Sequence, residues 1–128
     1  MSYYTSAIID KNFDEAIEYV TAKLKEQGFG VLTQIDVKET LKKKLDVDFK
    51  KYRILGACNP NFAYKALQAE DKIGVMLPCN VIVEEHENGS VEVSAVDPVA
   101  SMQAIENEQL GSVATEVRDM LRGVIKSL

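Results

Sequence analysis

Asn88-Gly89 constrains this chain more than any other pair of residues. It lies between two β-rich runs, Ile73 to His86 and Ser90 to Val96. Asn-Gly at that position is the strongest local signal for a two-residue hairpin, which makes two consecutive strands antiparallel neighbours. In the first run Ile73, Val75, Leu77, Cys79, Val81 and Val83 recur at every second position, so they share one face of a strand. Pro78 interrupts the run, since it has no N–H to give to a ladder, and marks a bulge, an edge or a break.

The remaining elements follow from similar devices. Tyr3 to Ile9 reads as the first strand. Asn12 is an N-cap with Glu15 completing a capping box, and Phe13, Ala16, Ile17, Val20 and Leu24 form a helical stripe ended by Gly28. Gly30 to Val37 reads as strand two, with Val31, Thr33, Ile35 and Val37 on one face. A short basic helix follows over Lys38 to Leu45, leaning on Leu41 and Leu45, and Tyr52 to Ala57 is strand three. Asn59-Pro60 and Asp97-Pro98 each pair an N-cap with proline at the first helical position. The first opens a helix over Asn61 to Gln68, with Phe62, Ala66 and Ala69 toward the core. The second opens a short helix through Ile105. Leu110, Val113, Val117, Leu121, Val124 and Leu128 make the stripe of a C-terminal helix. The order is β-α-β-α-β-α-β-β-α. It predicts an α+β domain with a mostly antiparallel sheet and helices packed on one face.

A chain of 128 residues makes a single domain over 1–128 that needs no disulfide or metal to fold. Its start shows no signal peptide and no apolar run reaches the ~20 residues of a membrane span. The expected compartment is the cytoplasm, with both cysteines reduced. A net charge of −5 argues against nucleic acid and anionic membrane as partners. Lys38, Lys42, Lys43, Lys44, Lys50, Lys51 and Arg53 cluster, but no glycine-rich loop or interleaved aromatics accompany them, so they read as a solvated surface.

The chemistry-bearing candidates are few. Cys58 precedes the Asn59 N-cap, where backbone N–H groups favour thiolate. Cys79 falls on the apolar face of the strand after the next helix, where burial favours the neutral thiol. Two thiols on one patch suit Zn(II) or Cu(I), a reversible disulfide or sulfur transfer, with Met102 as a third soft ligand. The opposing reading is that free cysteine is among the most buried residue types and packs as a small hydrophobe. Asn59, Asn80 and Asp97 stand in the same short segments and join the candidate ligand site. His86, the lone histidine, lies among Glu84, Glu85, Glu87 and Glu92, a group that collects a divalent ion adventitiously or simply forms a solvated turn. Tyr64 faces either a pocket or the helix surface. No G-x-S-x-G motif and no second histidine are present, so serine and zinc hydrolase chemistry have no residues to carry them.

Ile54-Leu55-Gly56-Ala57-Cys58-Asn59-Pro60, Ile73-Gly74-Val75-Met76-Leu77-Pro78-Cys79-Asn80-Val81 and Val96-Asp97-Pro98-Val99 together resemble the domain of unknown function 302 family over nearly the whole chain. The resemblance implies a small α+β domain grouped with TATA-binding-protein-like folds, often dimeric. It implies neither DNA binding nor an established activity. Three expectations follow. The first is a domain binding a small ligand or soft metal near Cys58 and Cys79. The second is a thiol-dependent redox or sulfur-transfer enzyme, and the third an oligomerisation module with core cysteines. A homodimer is expected, because both faces of strand one are partly apolar.

Overall fold

The computed structural model describes residues 2–128. Five strands form one antiparallel sheet in the order β1-β5-β4-β3-β2: β1 (Tyr4–Ile9), β2 (Gly30–Asp36), β3 (Tyr52–Cys58), β4 (Cys79–Glu85) and β5 (Val91–Val96). The helices are α1 (Phe13–Glu26), α2 (Val37–Leu45), α3 (Pro60–Ala69), α4 (Pro98–Ser101) and α5 (Glu108–Lys126), with a 3-10 turn at Asp71–Met76.

Alternation in the strands decides which side the helices cover. Leu55 and Ala57 of β3, Val81 and Val83 of β4, and Val91, Val93 and Ala95 of β5 are buried and pack with Val20 and Leu24 of α1 and Leu121 and Val124 of α5. Burying a side chain of that size stabilises the fold by about 1.5–3 kcal/mol, so this two-layer seam dominates stability. A second cluster, Ala66, Ile73, Met102, Leu110 and Ala114, joins α3, the 3-10 turn and the start of α5. The opposite face of the sheet carries no helix stripe. It presents Tyr4, Ser6 and Ile8 of β1, then Glu92 and Ser94 of β5, then Asn80, Ile82 and Glu84 of β4, with Ile54 and Ile35 beyond.

The ends of α1 match their sequence signals. Asn12 Oδ1 accepts from Glu15 N at 2.9 Å, and the side chains of Asn12 and Glu15 bond to each other. Gly28, at φ +85°, lets its own N–H reach Lys25 O while Phe29 N–H reaches Leu24 O, which satisfies the last carbonyls of the helix.

Six local expectations are corrected. Strand two does not keep one face: a bulge between Val31 and Thr33 leaves Val31 opposite Ala57 on the helix side and turns Thr33 and Ile35 to the open side. Val37 belongs to α2, whose N-cap is Asp36. α2 buries none of its residues, and Leu45 is exposed, because the helix packs only lightly, against β2 and β3. The Ile73 to Leu77 portion of the long apolar run is the 3-10 turn and its exit, with Ile73 buried and Val75 exposed, and β4 starts only after Pro78. The hairpin has three loop residues, 87–89: His86 N bonds Ser90 O, Gly89 N bonds His86 O, and only Gly89 takes positive φ. That is a turn followed by a left-handed glycine, the geometry of the next commonest hairpin loop. The helix after Asp97-Pro98 also stops at Ser101, short of Ile105.

Candidate functional site

A cavity of about 40 Å³ lies at the seam between the two hydrophobic clusters. Its walls come from the end of β3 (Ala57, Cys58), the start of α3 (Asn59, Phe62, Ala66), the Leu77-Pro78-Cys79 entry to β4, Met102, and the first turns of α5. The reason for its place is topological. Ala57 pairs with Cys79 across β3 and β4, so the two strands meet where one ends in α3 and the other emerges from the 3-10 turn. The lining is almost wholly apolar, and three sulfur-bearing residues, Cys58, Cys79 and Met102, share it.

Both cysteines are free thiols, and no disulfide joins them. The structure therefore gives a shared cavity and not a bonded pair. Burial pushes the Cys79 thiol from 9.0, its ordinary value, up to about 11, with Cys58 adding to the effect. A carbon-lined site desolvates the thiolate and leaves the neutral S–H favoured. Cys79 therefore matches its expected place on the buried face, where it packs against the main core.

The other expected ligands separate. Asn59 lines the cavity, but its side chain caps nothing on α3, and its Nδ2 points to Gln27 O at 3.5 Å. Asn80 does not belong to the cavity. Strand alternation sends it to the open face opposite Gly56, where it is exposed. Asp97 is buried and is likewise outside the cavity: its Oδ1 accepts from Val99 N and Ala100 N, and its Oδ2 meets Arg122 at 3.3 Å. Its duty is to hold α4 and α5 together. Tyr64 is exposed on the surface of α3. Sequence reasoning missed Phe29, Phe62, Leu110 and Val117 as cavity walls. Their apolar stripes were legible, but the meeting of two separate stripes at one gap was not.

A second concavity, about 440 Å³, opens on the uncovered face of the sheet between Tyr3, Tyr4, Tyr52, Ile82, Glu84, Glu92 and Ser94. At its hairpin end Glu84, His86 and Glu92 bring their donor atoms within 4.8 Å of one another. His86 Nε2 lies 2.8 Å from Glu92 Oε1, and Lys50 Nζ lies 2.7 Å from Glu84 Oε1. The His86 ring, helped by the Ser6 hydroxyl, holds the Glu92 carboxyl below its ordinary value.

With this arrangement in place, the family model for the domain of unknown function DUF302 matches residues 4–128. The chain belongs to the DUF302 family. A crystal structure of an uncharacterized conserved DUF302 protein from Bacillus stearothermophilus is similar to this DUF302 domain throughout. The two share 28% identity over 98% of each chain, with a TM-score of 0.91. No curated protein matches the chain. Among the described residues no helix is long and apolar enough to cross a membrane.

Proposed function

We propose that this DUF302 domain is a cytoplasmic binding module for a soft metal ion, Cu(I) before Zn(II), held by Cys58, Cys79 and Met102. The observation that carries this reading is that the three sulfur-bearing residues line one small apolar cavity. Its volume supports an ion over an organic molecule, because ligand pockets for such molecules run to ~300–1,000 Å³. Two thiolates and a thioether in dry surroundings suit Cu(I) by softness. The same data weigh against Cys79 as the nucleophile of a redox or sulfur-transfer enzyme, since a thiol raised to about 11 supplies little thiolate at neutral pH. A metal displaces that proton, so binding releases it and strengthens with pH.

The experiment is metal analysis of protein purified anaerobically, with thiol titration, followed by Cu(I) titration against a chromophoric chelator. One equivalent of Cu(I), lost in Cys58→Ser and weakened at least tenfold in Met102→Leu, is expected. Absence of copper binding, with both thiols unreactive in the native state, returns the two cysteines to plain core residues.

The partner reading is a homodimer formed through the open face of the sheet. Tyr3, Tyr4, Ile8 and Ile35 are exposed there, more apolar surface than a solvated sheet face needs. The basic cluster is read as solvated and not as a nucleic-acid surface. In support, Lys42 meets Asp46 and Asp48, Lys43 meets Glu39, Lys50 meets Glu84 and Arg53 meets Asp36, so much of its charge is already locally answered.

A further inference from the structure

Glu84 and Glu92 are direct cross-strand partners on the open face of the sheet. Like charges in that position destabilise a ladder, and neither side chain escapes into bulk water: Glu84 is 13% exposed and Glu92 24%. The fold answers them from two directions, with the Lys50 ammonium on Glu84 and the His86 ring on Glu92. His86, one residue past the end of β4, comes to the same face because it continues the alternation two residues beyond Glu84. The result is one imidazole nitrogen and two carboxylates from adjacent strands, with donor atoms within 4.8 Å.

We propose that Glu84, His86 and Glu92 form a binding site for a borderline divalent cation such as Zn²⁺, separate from the sulfur cavity and independent of it. Ligand atoms held ~2.1 Å from a tetrahedral ion stand ~3.4 Å apart, so small side-chain rotations close the set. Three protein donors leave a further position for water or a ligand. The two carboxylates also line the 440 Å³ concavity, which offers the space such a ligand needs. Ser94, only 7% exposed, lines the same concavity directly across the ladder from Ile82, so a hydroxyl stands beside the space that a cation-bound water or ligand would fill. Lys50 competes with the ion, because its ammonium already rests on Glu84.

The test uses the full chain with Co²⁺ as a spectroscopic probe and Zn²⁺ as competitor. A one-to-one Co²⁺ complex is expected, displaced by Zn²⁺ and lacking the thiolate-to-cobalt charge-transfer band that a cysteine site gives. Glu84→Gln, His86→Gln and Glu92→Gln should each weaken it at least tenfold while circular dichroism and thermal unfolding confirm the fold. Lys50→Met should tighten it severalfold. The absence of a complex, a complex carrying the thiolate band, undiminished affinity in any of the three glutamine variants, or weaker binding in Lys50→Met overturns the proposal. A thiolate band would place the ion at Cys58 and Cys79 instead; the other outcomes leave the sulfur cavity untouched, since its own test reads Cu(I).

Discussion

Arg122 Nη2 lies 3.3 Å from Asp97 Oδ2, while the other oxygen of the same carboxylate accepts from Val99 N and Ala100 N. One buried side chain thus caps α4 and anchors α5 near its C-terminal end. Loss of an N-cap costs ~0.5–2 kcal/mol. Arg122 is partly exposed, so its freed charge returns to water at little further cost. Asp97→Ala should therefore lower stability by about 1–2 kcal/mol, and Asp97→Asn, which keeps the acceptor, by less than about 1 kcal/mol. Urea unfolding of the two variants checks the order; equal losses would mean that the ion pair and not the cap carries the effect.

Gly56 lies on β3, an interior strand of the sheet, where a side chain has no room. A Cβ there would run into the Thr33 hydroxyl and sit 2.8 Å from Pro78 Cγ. Overpacking of this kind costs ~1–3 kcal/mol. Gly56→Ala is expected to fall in that range. Thr33→Ala should recover only part of the loss, since the Pro78 ring stays in place. A double-mutant cycle from denaturant melts measures the recovery, and full recovery would show that the ring yields freely.

Much of this fold is written in local chemistry that acts within a few residues. Asn12-Glu15, Gly28, Asp97-Pro98 and the alternation of Val81, Val83, Val91 and Val93 each specify an element without reference to the rest of the chain. The failures share a cause. Ile73 to Leu77 has strand periodicity, but its apolar anchor Ile73 is claimed by α3 and α5, and six residues close into a 3-10 turn instead. The β2 bulge is likewise invisible, because Thr33 and Ile35 are as β-prone on one face as on the other. The same limit applies to the sites. Cys58, Cys79 and Met102 come from three separate segments, so sequence alone does not place them at one cavity, whereas Asn80, adjacent to Cys79 in sequence, lies on the far side of the sheet for the same period-two reason that turns Cys79 inward. Glu84 and Glu92 stand at equal distances from Asn88, so their opposition was readable once the loop was known to have three residues.

Self-association through the open sheet face predicts a mass of two chains by light scattering at micromolar concentration. Ile8, exposed on β1, provides the probe. In a monomer Ile8→Lys, which sets an ammonium opposite Glu92, alters stability by no more than about 0.5 kcal/mol, as for most surface changes. In a dimer it places a charge in the interface. The expected result is a monomer with near-normal thermal unfolding. A monomeric wild type refutes the association outright.

The Cys79 thiol makes stability depend on alkaline pH. Its pKa is 9.0 in ordinary surroundings and about 11 in the fold. Below pH 9 the thiol is neutral in both states, so the contribution is fully present. Between pH 9 and 11 the unfolded chain ionises while the folded one holds its proton, and stability falls as pH rises. Two units at ~1.4 kcal/mol each give a loss of about 2–3 kcal/mol by pH 11. Lysines and tyrosines titrate in the same window, so the quantity to measure is the difference between wild type and Cys79→Ala in the apo protein. The variant lacks the thiol, so its urea midpoint should decline less steeply across that interval. Cys79 should also react slowly with iodoacetamide at pH 7 and more rapidly as the pH approaches 11, with Cys58 labelled first. Identical pH slopes for the two proteins would mean that Cys79 ionises in the fold as it does in water, and that the cavity around it is wetter than its walls suggest.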